Sequence, residues 1–422
     1  MTQHSASGAF DEFFESKNAQ ATIRLQYGFP GPDTLGKCKQ LMADATVEAA
    51  KDQDSGFMQY GPQIGYPTYL KAVSEFLSKE YGAPVLQEDL IATGGASSAV
   101  YVLLSLLFPE KKCPLILEDL TYMIALDMFG KDLGCQLIPI HLDEDGMDLS
   151  QLEARVAALQ PQKIVTVDGP ERALRAIVYL IPTFHNPTGI CYSPDKCERL
   201  IKLARKYQLL IVCDDVYNAL YYTDEGSPKR LFAFDSKSDD DYVGSVVSNG
   251  SFSKLLTPGL RLGWMEAPQW IKTMWHTSGM LHSGGCLNNY TSGIVAKAIR
   301  SGAVSQFVSE LRTMYGCRLR KILSALQRLA NYKGFRVTTP RGGYFVWFRL
   351  PDNVFAEDVN AITKDRYNLS FFSGHVFSCA PDAKKRFGNY VRISFAFYDE
   401  SVLIDAVNRI CDVVEELATK TA

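Results

Sequence analysis

The sequence has no long apolar run. Within its 422 residues, no stretch approaches the roughly 18 apolar residues that a membrane-spanning helix requires. Residues 1–20 are polar and acidic, whereas a secretory signal needs a basic end followed by an apolar run. We therefore expect a cytoplasmic protein that has no membrane partner.

The chain also has little net charge. Its formal net charge is -3, its sequence pI is about 6.1, and it contains no Lys/Arg-rich run. This balance argues against nucleic acid and membrane surfaces as partners and favours small molecules. The ten cysteines form no CxxC pair and no Cys/His cluster at zinc spacing, so we expect reduced thiols and no metal site.

Strands and helices alternate through the first two thirds of the chain. The order of apolar strand, turn and helix occurs in residues 89–108 and again in 114–133, and further strands are expected within 135–142, 177–189 and 210–220. Strands that are apolar on both faces and separated by helices imply a mostly parallel sheet buried between helical layers. The predicted fold class is therefore α/β.

The pattern changes after about residue 290, where long helices are followed by short, antiparallel-looking strands and a closing helix. We predict a large domain over residues 51–290. A smaller α+β domain is expected from residues 291–422 together with residues 1–50, which include an N-terminal arm.

Glycine and proline are concentrated in residues 23–35, which we expect to be extended and turn-rich rather than helical. Helical spacing resumes at residues 36–51. A second Gly/Pro-rich loop, which contains Tyr60 and Tyr66, leads into an amphipathic helix that ends near residue 82.

The segment 248–264 gives Lys254 an unusual setting. Ser251 and Ser253 precede this lysine, and a lone arginine, Arg261, follows a Pro-Gly turn. A lysine that forms a Schiff base needs a partly desolvated pocket that lowers its pKa, small neighbours that admit a ring, and a cation nearby for a phosphate. Pyridoxal phosphate has these requirements, although a solvated loop lysine also fits the motif taken alone.

A Gly-rich turn at residues 94–98 lies between an apolar strand and a helix. Backbone amides at a helix N-terminus, here around Gly95 and Ala96, form an anion site together with the hydroxyls of Ser97 and Ser98. The turn is neither GxGxxG nor a P-loop, which argues against dinucleotides and nucleoside triphosphates. The alternative is an ordinary strand-to-helix turn.

Polar side chains follow several of the predicted strands, where open α/β sheets bind ligands. Asp214 could keep a pyridine nitrogen protonated, and Tyr217 could donate a hydrogen bond to the phenolic oxygen of the same ring. Asp215 is an alternative to Asp214 in this role. Both acids could instead cap the segment that follows. Asn186 could donate to the same phenolic oxygen. Tyr122 could stack on a flat ring or simply pack in the core.

Arg392 lies within the apolar strand NYVRISFAF. A buried arginine is costly unless it is paired, and a substrate carboxylate matches the planar fork of its guanidinium. An internal salt bridge is the alternative.

Together these motifs resemble the fold-type I PLP-dependent aminotransferases, in the subgroup of kynurenine, aromatic and 2-aminoadipate aminotransferases. The resemblance extends over nearly the whole chain, through YGFPGPD, QYGPQIGY, GGASS, HNPTG, DDVY, SFSKLLTPGLRLGW and RISF. It implies that Lys254 carries the cofactor as a Schiff base and moves the substrate proton. It also implies Asp214 on the pyridine nitrogen, Tyr217 and Asn186 on the phenolic oxygen, and Tyr122 against the ring face.

The resemblance further implies phosphate contacts from Ala96, Ser97, Ser251 and Arg261, and Gly95 and Ser253 are also expected to bind the cofactor. Tyr60 would reach over from a partner subunit, so we expect a homodimer with shared active sites. Arg392 would clamp the substrate α-carboxylate, with Asn186 and Gly28 beside it. Arg24 could pair a second carboxylate or could lie in solvent without a substrate role.

The implied reaction moves an amino group from an L-α-amino acid to a 2-oxo acid, with aromatic, aminoadipate-like or broad substrate range. A PLP-dependent lyase or β/γ-replacement enzyme would use the same residues. An aminotransferase-like domain of a transcriptional regulator would need a DNA-binding domain, and the residues before Lys51 have neither the length nor the charge for one.

Overall fold

The computed structural model describes residues 22–108, 114–164 and 172–420, so most of the predicted N-terminal arm lies outside the described residues. The strands are β1 (Ile23–Arg24), β2 (Leu90–Thr93), β3 (Pro114–Glu118), β4 (Gln136–Ile140), β5 (Leu142–Asp143), β6 (Gly146–Met147), β7 (Gln162–Ile164), β8 (Arg172–Leu174), β9 (Ala176–Leu180), β10 (Leu209–Asp214), β11 (Val246–Ser251), β12 (Gly263–Glu266), β13 (Arg336–Val337), β14 (Phe345–Arg349), β15 (Leu369–Ser370), β16 (Phe372–Ser373) and β17 (Tyr390–Ser394). The α-helices are α1 (Pro32–Ala50), α2 (Pro67–Tyr81), α3 (Ala96–Leu107), α4 (Met123–Asp127), α5 (Leu149–Ala157), α6 (Pro194–Tyr207), α7 (Gln269–Trp275), α8 (Gly279–Gly284), α9 (Asn289–Arg300), α10 (Ala303–Leu326), α11 (Ala356–Tyr367), α12 (Ala383–Phe387) and α13 (Glu400–Lys420). None of the helices in the described ranges is long and apolar enough to cross a membrane.

The central sheet has seven strands in the order β2-β12-β11-β10-β9-β3-β4. Strand β12 is antiparallel to both neighbours, and the other pairs are parallel. Alternate residues of β9 pack into two apolar clusters, one with α3 and α7 and the other with α5 and α6. Because helices cover both faces, every residue of β9 is buried. The predicted α/β class, with a mostly parallel sheet between helices, is confirmed.

A second, antiparallel sheet contains four strands in the order β13-β14-β17-β16. Its apolar residues share a cluster with α10, α11 and α13. The change from a parallel to an antiparallel pattern that the sequence shows after about residue 290 is therefore present in the structure. The placement of the domain boundary at residue 290 stays a prediction.

The expectation that residues 23–35 contain no helix is wrong at its C-terminal end. Helix α1 begins at Pro32, not at residue 36. Proline is well tolerated in the first turn of a helix, because the backbone N–H that it lacks has no partner there. Pro32 therefore starts the helix instead of preventing it.

The segment before α1 crosses from the second sheet to the carboxyl ends of the first. Strand β1 pairs in parallel with β15, and the carbonyl of Leu25 accepts a hydrogen bond from the backbone of Ser394 at the end of β17. The chain then reaches Gly28, whose carbonyl oxygen lies 2.8 Å from Nζ of Lys254. The N-terminal segment thus covers the carboxyl end of the central sheet.

Candidate active site

Four polar side chains lie just past the carboxyl ends of neighbouring strands in the central sheet. Asp214 ends β10, Asn186 follows β9, Tyr122 follows β3, and Lys254 follows β11. The carboxyl ends of parallel strands meet at one edge of a sheet, which is where open α/β sheets bind ligands. The structure therefore brings together residues that are far apart in the sequence.

Lys254 is partly buried at this edge. Its Nζ donates a hydrogen bond to the carbonyl oxygen of Gly28. Burial lowers the pKa of Lys254 to about 8; the positive charges of Arg392 and Arg261 act in the same direction, and the carboxylate of Asp214 opposes them. A much larger fraction of this amine is therefore unprotonated near neutral pH than of an ordinary lysine, as a nucleophile requires.

Asp214 lines a cavity at this edge of the sheet. Its Oδ2 accepts a hydrogen bond of 2.7 Å from the hydroxyl of Tyr179, whereas Oδ1 is buried and has no partner among the described residues. Burial raises the pKa of Asp214 to about 6, and the bond from Tyr179 limits the rise. Asp215, the rival acid, accepts a hydrogen bond from Ser248 and does not line this cavity.

The guanidinium of Arg392 is enclosed by aromatic rings. Its central carbon lies 4.0, 4.8 and 5.2 Å from the ring centroids of Phe345, Phe377 and Phe372. It donates to Oδ1 of Asn186 at 3.1 Å and to a backbone carbonyl at 2.7 Å. Burial lowers the pKa of Arg392 to about 9.

The alternative that Arg392 forms an internal salt bridge is not realised within the described part of the chain, where the guanidinium donates to an amide oxygen and a backbone carbonyl and not to a carboxylate. Its Nε is buried and unpaired among these residues. An unpaired buried cation is costly, so the arrangement favours a ligand that brings a carboxylate.

Two tyrosines lie close to these charged groups. Tyr217 is 4% exposed, and its ring packs against Tyr344 and Phe345. Burial raises the pKa of Tyr217 well above its usual value and that of Tyr122 to about 12, and the charge of Asp214 adds to both shifts. Both hydroxyls therefore stay protonated at neutral pH and are available as hydrogen-bond donors.

The turn before α3 forms a second polar region. Gly95 has φ of 95°, a conformation that favours glycine, and a Cβ added there would lie 3.1 Å from a guanidinium nitrogen of Arg261. Ala96 and the exposed Ser97 open the helix, so their backbone amides have no intrahelical partner. The hydroxyl of Ser251 donates to Ser253 at 2.9 Å. Free amides next to an arginine form an anion site.

Tyr60 and Arg24, two of the predicted site residues, have surroundings unlike those of the charged groups described above. Tyr60 is 77% exposed and lies near Gly284 at the end of α8. Arg24 is partly buried, and its guanidinium donates to the hydroxyl of Tyr27 at 3.3 Å. His185, the neighbour of Asn186, is fully buried and bonded to Glu118 and Thr188. This histidine therefore has a structural environment.

The sequence reasoning missed several residues that shape the site. Tyr179 and Asn249 line the cavity beside Asp214, and the rings of Phe345, Phe372 and Phe377 surround the arginine. A hydroxyl inside an otherwise apolar strand is a signal that could have identified Tyr179, whereas Asn249 lies in a strand with other polar residues and leaves no such signal. The backbone carbonyl of Gln26, which accepts from Arg392, leaves no signal in a sequence.

These residues fit pyridoxal phosphate. One cavity is lined by Tyr122, Asp214, Asn249, Ala96 and Ser97. Asp214 has a carboxylate oxygen without a partner among the described residues, and Ala96 and Ser97 contribute the free amides of the first turn of α3. The carboxylate matches a protonated ring nitrogen, the amides match a phosphate, and the lysine with lowered pKa matches the aldehyde.

Comparisons with known proteins agree with this fit. The family model of aminotransferase class I and II matches residues 34–410. Aromatic-amino-acid aminotransferase 1 of Thermococcus litoralis is 28% identical over 398 residues, which cover 93% of this chain and 88% of that protein. The 2-aminoadipate transaminase of Thermus thermophilus is 28% identical over 386 residues, which cover 91% of this chain and 87% of that protein.

The crystal structure of Pyrococcus horikoshii kynurenine aminotransferase in complex with PMP matches the fold with a TM-score of 0.79 and 26% identity. The match covers 99% of this chain and 95% of that one. On the strength of the family model and these relatives, the chain belongs to the aminotransferase class I and II family and is a pyridoxal-phosphate-dependent aminotransferase.

Proposed function

We propose that this aminotransferase uses an L-α-amino acid with an aromatic or aminoadipate-like side chain as donor and a 2-oxo acid as acceptor. The observation that carries the proposal is the aromatic enclosure of Arg392, which holds a guanidinium without a carboxylate partner among the described residues. Such a group favours a planar carboxylate, which it can bind through two parallel hydrogen bonds. Both substrates of a transamination carry an α-carboxylate.

Pyridoxal phosphate, when bound, supplies an electron-poor ring that stabilises the negative charge left on the substrate Cα after its proton is removed. Lys254 would hold the cofactor through Nζ, and the same amine is proposed to take the proton from Cα and to return it. The lowered pKa of Lys254 supports both roles. Oδ1 of Asp214 would keep the ring nitrogen protonated, and Arg392 would orient the substrate.

The remaining cofactor contacts are proposed on the same basis. Tyr217 and Asn186 would donate to the phenolic oxygen, and Tyr122 would lie against the ring. The phosphate would be held by the turn before α3 and by the lysine segment, namely by Gly95, Ala96, Ser97, Ser251, Ser253 and Arg261. The free amides and the position of Arg261 beside Gly95 support this assignment.

The working unit is proposed to be a homodimer with shared active sites. Tyr60 is exposed on one chain, together with Met58, Met280 and Tyr290. Exposed large apolar side chains of this kind are typical of a protein interface. Tyr60 would then reach the phosphate of the neighbouring subunit.

The protein is also proposed to work in the cytoplasm. The nine cysteines that the structure describes are free thiols. Free thiols persist in the reducing cytoplasm, whereas secreted proteins commonly form disulfides.

The N-terminal segment is proposed to read the substrate side chain. Tyr27, Phe29 and Phe397 form a cluster with ring centroids 4.7 to 5.3 Å apart, close to Gly28 at the lysine. Such rings favour an aromatic or apolar side chain. Arg24, which contacts Tyr27, is the cation nearest to this cluster in the segment and would pair the second carboxylate of aminoadipate or 2-oxoglutarate. The names of the aromatic, 2-aminoadipate and kynurenine relatives are consistent with both uses.

The proposal is tested by incubating the purified protein and cofactor with each amino acid and 2-oxoglutarate, and measuring the glutamate formed. We expect glutamate in proportion to the new 2-oxo acid, with aromatic amino acids and 2-aminoadipate among the best donors. Ammonia released without any added 2-oxo acid would instead indicate an elimination, and would contradict the proposal.

A second measurement tests the lysine directly. Borohydride reduction followed by peptide mapping should place the pyridoxyl mass on Lys254. Pyridoxyl label on a different lysine would refute the assignment.

A further inference from the structure

Asn249 lies in β11 directly beside Asp214 in β10, because the two residues are paired in the parallel register. It is 0% exposed and lines the same cavity as Asp214. Its Nδ2 donates a hydrogen bond of 2.8 Å to the carbonyl oxygen of Ala96, the first residue of α3. Its Oδ1 is buried and has no partner among the described residues.

The two ends of this side chain therefore differ. One end connects the central sheet to the turn that is proposed to hold the phosphate. The other end is an acceptor that lacks a donor, which is a costly state for a buried amide. An asparagine that served only to hold the strand and the helix together would be expected to have both ends satisfied.

Asp214 and Asn249 thus line one cavity, and Oδ1 of each is a buried acceptor without a partner among the described residues. A ligand that satisfies both must present a donor on the side that faces β10 and β11. On pyridoxal phosphate, the phosphate is an acceptor and the phenolate oxygen is an acceptor, whereas the protonated ring nitrogen is a donor. One N–H can be shared between two acceptors in a three-centre bond.

We propose that Asn249 is a further residue of the cofactor site, resting on the proposed role of Asp214 at the ring nitrogen. Its Oδ1 shares the ring N–H with Asp214. Its Nδ2 holds the phosphate-binding turn in place through Ala96. Asn249 thereby connects the two ends of the cofactor and fixes the distance between them.

The test is Asn249→Leu, which keeps the size of the side chain and removes both polar ends. The dissociation constants of pyridoxal phosphate and of phosphate-free pyridoxal are measured by spectroscopic titration of cofactor-free protein, and the thermal midpoint of that protein is recorded. We expect about tenfold weaker binding of pyridoxal, which is the loss of about one hydrogen bond, and a larger loss for pyridoxal phosphate, because the phosphate-binding turn also loses its bond from Asn249. We also expect a thermal midpoint close to that of the wild type, because leucine removes the hydrogen bond to Ala96 together with a buried acceptor that had no partner.

Ser248→Ala is the matched control. Ser248 is the preceding residue in β11, and its hydroxyl donates to Asp215, which lies outside the cavity. This variant should lower the thermal midpoint of the cofactor-free protein and leave both dissociation constants within about twofold of the wild type. The two variants are therefore expected to separate the two effects: Asn249→Leu weakens ligand binding, and Ser248→Ala lowers only the stability.

Unchanged binding of either ligand in Asn249→Leu would overturn the inference. If Asn249→Leu does not fold, Asn249→Asp answers the same question at pH 8, because it keeps an acceptor for the ring but loses the donor to Ala96. It should bind pyridoxal nearly as the wild type does and pyridoxal phosphate more weakly; equal losses would overturn the inference. If the wild type itself failed to bind pyridoxal phosphate, the proposed function would fail as well.

Discussion

Replacing Lys254 with methionine should stabilise the cofactor-free protein while removing its activity. The native site lowers the pKa of Lys254 from 10.5 to about 8, chiefly through burial. At neutral pH the protonated amine is therefore less stable in the folded protein than in the unfolded chain. Methionine has a similar length and carries no charge, so it removes this cost.

The size of the effect follows from the pKa. A lowering from 10.5 to about 8 corresponds to about 3 kcal/mol at 1.36 kcal/mol per pH unit. Lys254 is only partly buried, so solvent screening reduces this value, and methionine loses the hydrogen bond to Gly28, worth about 1 kcal/mol. We expect a net gain of about 1 kcal/mol in the free energy of unfolding at pH 7.

The sign can be checked by changing the pH. The free-energy cost of the charged lysine is fully present below pH 8. It disappears as the pH rises from about 8 to 10.5, because in this range Lys254 has lost its proton in the folded protein but keeps it in the unfolded chain. The advantage of Lys254→Met should therefore be largest at pH 7 and small or absent above pH 10. Urea unfolding of both cofactor-free proteins at several pH values measures it.

Lys196→Met is the control. This lysine is also buried, but its Nζ lies 2.7 Å from Oδ1 of Asp145 and 3.2 Å from Oδ2 of Asp143, so its removal should destabilise the protein at pH 7. A Lys254→Met variant that is less stable than the wild type at pH 7, or that differs from it equally at pH 7 and pH 10, would refute the reasoning.

Four further results are expected. Asp214→Asn should bind the cofactor but lose roughly ten- to a hundredfold in kcat, since an amide cannot hold the ring nitrogen protonated as a charged group does. A larger loss in Asp215→Asn would mean that the wrong acid was chosen. Because the pKa of Asp214 is about 6, cofactor binding by the wild type should weaken below that pH, and titration of Asp214→Asn should lack this step. Mixing inactive Tyr60 and Lys254 variants should restore activity in some hybrid dimers, and no recovery despite proven subunit exchange would exclude shared sites. Arg24→Ala should lower kcat/KM for dicarboxylic substrates about ten- to a hundredfold and spare aromatic ones; equal effects on both would leave Arg24 without a substrate role.

The sequence by itself determined the fold class and the family. Strands such as β9, with every residue buried, must be apolar at nearly all positions, so their composition indicates a sheet covered on both faces. The lysine segment and the turn at Gly95 follow from local chemistry, because a Schiff-base lysine and a phosphate each restrict their immediate neighbours. Local requirements of this kind are readable from the order of the residues.

Only the tertiary structure shows that Asp214 lines the cavity and that Asp215 does not. Successive residues at the end of a strand point to opposite faces, and the sequence does not show which face meets the cavity. The surroundings of Arg392 are likewise visible only in the tertiary structure. Its contact with Asn186 joins residues 206 positions apart, and its aromatic enclosure comes from three separate segments.

The unpaired oxygens of Asp214 and Asn249 show the limit most directly. A sequence states which polar groups a chain contains, and packing decides which of them find partners inside it. A buried group that remains without a partner can be recognised only when all its neighbours are known. For that reason the residues that a ligand must satisfy emerge from the tertiary structure, although the kind of ligand was already indicated by the sequence.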